Sequence, residues 1–123
     1  MTALPSTSLR SLISCAPVFV DLSASIASAR ALVALHQTQY LCVTREGSFV
    51  GMVSSERLDS ADSGAEVGDF ALFGVPVVSI TASVKEAMKT LSLYRQHALP
   101  VRDGEKVIGL ITVSDCIFGL SHD

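Results

Sequence analysis

The sequence predicts an α/β fold made from one β-α-β-β-α unit written twice. Three observations predict it. The chain repeats itself at an offset of 58 residues, with no gap from Val20 to Leu58. Each copy alternates short β-rich runs with a segment of helical hydrophobic spacing. The 123 residues are 49% apolar and only 17% charged, which suits one compact domain with a sizeable core. Neither copy has much core alone, so the two are expected to pack on each other, with any ligand cleft between them.

The register of the repeat is explicit. Leu22-Ser23-Ala24-Ser25-Ile26 lies over Ile80-Thr81-Ala82-Ser83-Val84, and Leu41-Cys42-Val43 over Leu99-Pro100-Val101. Val50-Gly51-Met52-Val53-Ser54 lies over Ile108-Gly109-Leu110-Ile111-Thr112. These matches divide the chain into a tail (1–7), a first repeat (8–58), a linker (59–66), a second repeat (67–120) and a C-terminal tail (121–123).

The first copy opens with a short strand at Phe19-Val20. A helix follows, marked by Ile26, Ala29, Val33 and His36. Tyr40 to Val43 and Ser48 to Val53 form a hairpin around Glu46-Gly47. The stretch Asp59 to Glu66 is acidic, small and polar, and reads as a solvated linker. In the second copy, Pro76 to Ile80 is the first strand, and Ser83-Val84-Lys85-Glu86 reads as a capping box. Val84, Ala87, Met88, Leu91 and Tyr94 form one stripe of a helix expected to end near Gln96-His97. Leu99-Pro100-Val101 starts a strand, Asp103-Gly104 turns it, and Lys106 to Ile111 returns. Thr112-Val113-Ser114-Asp115 opens the last helix, which carries Ile117, Phe118 and Leu120. Upstream of each first strand lies a further related segment, Leu9 to Ala16 and Gly68 to Val75.

Composition argues against several function classes. The net charge is −3, with no basic run, so nucleic acid is not an expected partner. Mean hydropathy is +0.47, yet the longest apolar stretch, Phe70 to Ile80, contains Gly74 and Pro76 and falls short of the ~20 residues a spanning helix needs. No membrane association is expected. Part of the apolar excess is assigned instead to a surface that meets a partner. Cys15, Cys42 and Cys116 are odd in number and unpaired in spacing, so they read as free thiols of a cytoplasmic protein. Arg10 has no long apolar run behind it, so no signal peptide is expected. His36, His97 and His122 show no zinc-ligand spacing, and no phosphate loop or nucleophile elbow is present. The chain is therefore not expected to be an enzyme.

The segment Gly109 to Asp115 carries the chemistry that remains. Structurally, Thr112 caps a helix and Asp115 answers it three residues on, while Gly109 allows a close backbone contact. Functionally, the same junction offers amides and positive dipole to an anion, and a carboxylate to sugar hydroxyls. Ala98, Ile80, Leu99 and Val101 would line a slot for a flat base.

The repeat, the Leu99-Pro100-Val101 strand start and the Gly109, Thr112, Asp115 ending resemble the CBS domain, and the tandem resembles a CBS pair, or Bateman module. The resemblance covers about residues 8 to 120 and is closest in the second copy. It implies a pseudo-two-fold sandwich that dimerises through its helices, here through residues such as Ala29, Val33, Tyr94 and Phe118. It also implies a regulatory module that binds an adenosine-containing ligand such as AMP, ADP, ATP or S-adenosylmethionine, and acts on an effector protein. The alternative is a degenerate pair that only dimerises or docks a protein. Carried over, Thr112 and Asp115 would hold ribose and phosphate, Thr81 and Ala82 would lie near the ligand, and His97 would face phosphate. With Ile80, Ala98, Leu99 and Pro100 these complete the expected site. In the first copy Arg57 stands where the aspartate should be and Cys42 replaces the strand proline, so one nucleotide cleft per chain is expected.

Overall fold

The computed structural model describes residues 8–13, 16–62 and 64–121. Residues 1–7, Cys15 and His122, all given roles from sequence, lie outside the described residues. The order is α1 (Leu9–Leu12), β1 (Phe19–Asp21), α2 (Ile26–His36), β2 (Tyr40–Arg45), β3 (Ser48–Ser54) and α3 (Ser55–Asp59). A 3-10 turn (Val67–Asp69) leads to β4 (Leu72–Phe73). Then follow β5 (Val78–Ser79), α4 (Val84–Leu93), β6 (Ala98–Asp103), β7 (Lys106–Thr112) and α5 (Val113–Ser121). The fold is mixed α/β, as the tandem pattern predicts.

The contiguous repeats at 8–58 and 67–120 are not the compact units. One unit is Val18–Val75; the other joins Met1–Pro17 to Pro76–Asp123. Each upstream segment thus completes the unit of the other copy. Burial gives the reason: Leu9 and Leu12 sit in the core of the second copy with Val84, Leu91, Leu99 and Cys116. Likewise β4 pairs with β3 of the first copy, Leu72 opposite Met52 and Phe73 opposite Gly51.

In the unit 18–75, the sheet order is β1-β2-β3-β4, with β1 parallel to β2 and the remaining pairs antiparallel. Val20, Ile26, Ala29, Leu41, Val53, Leu58 and Val67 fill its core. Gly51 is required here: a Cβ would stand 2.3 Å from the Leu72 carbonyl oxygen, and no side chain tolerates that approach. The linker is not simply solvated. Ala61 is buried, the Ile26 amide donates to the Ala65 carbonyl at 3.0 Å, and Ser25 bridges Glu66. The N-terminus of α2 needs partners for its amides, and the linker backbone supplies one.

In the other unit the sheet is β5-β6-β7, parallel then antiparallel. Ser83 accepts from the Glu86 amide at 3.1 Å, as its capping role predicts. Helix α4 ends at Leu93, earlier than Gln96-His97, because Arg95 turns left-handed at φ 53°. Tyr94 therefore leaves the buried stripe and is exposed, whereas Val84, Ala87 and Leu91 are buried. The hairpin turns at Gly104-Glu105, with Asp103 already paired to Lys106.

Candidate functional site

The two faces of β6 separate the predicted residues. Leu99 and Val101 point into the helix-packed core, with Ile111 opposite Leu99. They form no slot, and the reason is the two-residue period of a strand. Ala98 and Pro100 take the other face, opposite Thr112 and Leu110 of β7. Ala98, Leu99 and Pro100 are all buried.

At the Ala98 end, β7 passes directly into α5 and the expected capping box is formed in both directions. The Thr112 amide donates to Asp115 Oδ2 at 2.9 Å, and the Asp115 amide donates to Thr112 Oγ1 at 3.1 Å. Both residues are half-buried. The Val113 amide donates to the His97 carbonyl at 3.1 Å, which seats the helix start against the entry to β6. Two amides of the first turn are thereby used. The imidazole of His97 belongs to an exposed residue. Beside it an open cleft of about 470 Å³ is lined by Met88, Leu91, Arg95, Gln96, His97 and Val113. A carboxylate offers about four lone-pair sites, so a box partner can also accept from the hydroxyls of a bound sugar. Burial raises the pKa of the neighbouring Cys116 thiol, and the Asp115 charge adds to it.

Structure thus brings His97, Ala98, Pro100, Thr112 and Asp115 together at one end of the sheet. It does not bring Ile80, Thr81 and Ala82 there. Strand β5 runs parallel to β6, with Val78 opposite Val101 and Ser79 opposite Arg102. Its C-terminal end therefore lies at the far end of β6, and the Ile80 amide donates to the Arg102 carbonyl at 2.8 Å. Thr81 is held in a local turn, its amide donating to Ser79 Oγ at 3.2 Å. Thr81 and Ala82 line a separate polar groove of about 460 Å³ with Ser79, Glu86 and Thr90. The residue missed from sequence is Val77. Continuing the register by one residue puts it beside Pro100, on the face shared by Ala98 and Thr112. A right-handed parallel crossover would have revealed this, because it places the start of the first strand beside the start of the second.

The equivalent corner of the first copy is built differently. Ser54 caps α3 by accepting from the Arg57 amide at 3.2 Å, and the Ser55 amide donates to the Gln39 carbonyl at 2.8 Å. The guanidinium of Arg57 donates to the Phe70 carbonyl at 2.8 Å. It braces the approach to β4 and brings no carboxylate to the helix start.

The CBS domain family model matches residues 67–122, the copy that carries the reciprocal box. That copy is therefore similar to a CBS domain. No curated protein sequence matches the chain. Solved structures share the fold across both copies. The CBS domain pair of the protein MJ0100, in complex with 5′-methylthioadenosine and S-adenosyl-L-methionine, aligns with a TM-score of 0.82 at 21% identity, over 96% of this chain and 98% of that one. CBSX2 in complex with AMP aligns with a TM-score of 0.76 at 23% identity, over 94% and 96%. The soluble part of a magnesium transporter aligns with a TM-score of 0.81 at 21% identity, over 94% of this chain. The chain spans 48% of the length of that soluble part. At these identities the likeness to CBS pairs establishes the fold. No helix among the described residues is long and apolar enough to cross a membrane.

Proposed function

We propose that the chain is a cytoplasmic regulatory ligand-binding module. Its second copy takes an adenosine-containing ligand, AMP-like in size and charge, at the Ala98 end of β6. Thr112 and Asp115 meet the ribose and phosphate, with His97 near the phosphate. Binding signals through a conformational or dimer-interface change to an effector protein. The observation that carries this reading is the reciprocal Thr112–Asp115 box, made in the copy that matches the CBS domain family model and replaced by Ser54 and Arg57 in the other. The adenosyl ligands of MJ0100 and CBSX2 support the ligand class.

A panel of AMP, ADP, ATP and S-adenosylmethionine tests this by thermal shift and calorimetry. A ligand at a hundred times its Kd stabilises by about 2.7 kcal/mol, and one ligand per chain is expected. Asp115→Ala should abolish the shift. It also removes the bond to the Thr112 amide, so a stability cost of about 1 kcal/mol accompanies it. Asp115→Asn keeps an acceptor and loses the charge, which separates capping from binding. A panel with no shift, or an Asp115→Ala protein that binds as well as its parent, overturns the reading.

A degenerate pair that only dimerises or docks a protein is the second reading. The exposed Leu93, Ile117 and Phe118, at 71%, 54% and 57%, favour it. Ala29 is excluded from such a face, because it is fully buried in the core of the other unit, and Val33 packs partly against that core.

A further inference from the structure

The N-terminal helix α1 is joined to the unit it completes by unusual means. It is four residues long, too short to persist without tertiary contacts. Leu9 and Leu12 are buried in the core of 76–123, while Arg10 and Ser11 face outward. The chain then leaves for the other unit at residue 18 and returns only at 76. Two features receive this strap. Arg10 pairs with Asp103 of the hairpin at 2.9 Å, an exposed contact spanning 93 residues of sequence. Gly119, near the end of α5, forms a notch: a Cβ there would lie 2.6 Å from Leu12 Cδ1 and 3.3 Å from Val84 Cγ2. Glycine in a helix interior is unfavourable, and at Gly119 it leaves the space that the end of the Leu12 side chain fills, so any Cβ there makes Leu12 shift.

We infer that residues 8–13 are a releasable latch on the second unit, seated by the Leu12–Gly119 contact and guided by the Arg10–Asp103 pair. The latch opens as a local event while α4, β6 and β7 stay folded, because it is held by a single short turn, the buried Leu9 and Leu12 and one exposed ion pair. Its seat is on α5, the helix whose first turn is Thr112 to Asp115, so the state of the strap bears directly on that helix. The inference stands on the packing alone and does not depend on a nucleotide binding.

Hydrogen–deuterium exchange of the full chain, read by mass spectrometry, tests it by comparing residues 8–13 with α4 and β6. In the wild type the strap should exchange before α4 and β6. Gly119→Ala should speed exchange in the strap about ten-fold with α4 and β6 unchanged, since opening equilibria set the rates. Asp103→Ala, at an exposed site, should speed it about two-fold, again in the strap alone. If Gly119→Ala speeds all three segments together, Asp103→Ala decides. A strap-only increase there upholds the latch; no change there overturns it. Equal exchange of strap and α4 in the wild type also overturns it.

Discussion

The two copies share a frame and differ at one corner. Both hairpins carry the same irregularity, between Val43 and Thr44 and between Val101 and Arg102. Both first helices end on a left-handed residue that is not glycine, Gln37 at φ 50° and Arg95 at φ 53°. Both first strands end in a side-chain turn, Asp21 accepting from Ser23 and Ser79 bonding Thr81. The last helices diverge. α3 has five residues and α5 has nine. The shorter helix leaves its carbonyls early, and Arg30 collects them: its guanidinium donates to Leu58 at 2.7 Å and also to Ala61. At the position equivalent to Arg30 the second copy has Met88, which packs against the core below a longer helix. The lesson is that the frame is kept by backbone requirements, while the helix start and end are where the copies have been free to specialise.

Core truncation is the strongest way to break this comparison. Leu41 and Leu99 are equivalent, and both are fully buried in separate cores. Leu41→Ala and Leu99→Ala should each cost about 2–5 kcal/mol in denaturant titrations. If either proves neutral, the two units do not each depend on a core of their own.

Arg30→Met, which copies the second repeat into the first, sharpens the comparison at a smaller scale. It removes the guanidinium donors from the partly buried Leu58 and Ala61 carbonyls, of which Leu58 keeps the Ala61 amide, and should cost about 1–3 kcal/mol. Chemical denaturation measures it. A cost near zero would mean that water replaces the guanidinium and that the short helix needs no such clamp.

The smallest expected effect is in alkaline pH. Burial raises the Cys116 thiol above its usual 9.0, and burial raises Tyr40 of the first copy above 10.0, with Glu56 adding to it. A group raised in the folded state contributes stability below its unfolded pKa and loses it as pH climbs through the folded value. The second copy should therefore begin to weaken near pH 9 and the first near pH 10. Thermal midpoints between pH 7 and 10.5 for the wild type and Cys116→Ala read this. The variant should lose the earlier part of the decline, and an unchanged slope would remove Cys116 as its source.

Much of the fold is legible in local pattern. The β-rich runs of β2 and β6, the Ser83 cap and the Glu46-Gly47 turn are fixed by residues within a few positions of each other. The Thr112–Asp115 box is legible for the same reason, since both partners lie within one helical turn. Ile80, Thr81 and Ala82 lie apart from the box, which local pattern does not reveal, because their position depends on which end of a parallel strand meets which, and that is a pairing between residues about twenty positions apart. Ala29 was read as an interface residue because a helix shows the same period whether its stripe meets a core or a partner. Arg57 could not be assigned from sequence, because its acceptor, the Phe70 carbonyl, has no sequence signature.

By itself the sequence determined the repeat, the order of elements and the asymmetry between Asp115 and Arg57. These rest on periodicity, capping and side-chain identity, which act over a turn or a strand. Tertiary structure decided which strap closes which core. Leu9 and Leu12 carry the same pattern as Val67 and Phe70, so either pair fits either unit by hydrophobicity alone. The choice is made by shape at long range: the Gly119 notch takes Leu12, whereas the first copy carries Ala61 at the equivalent position.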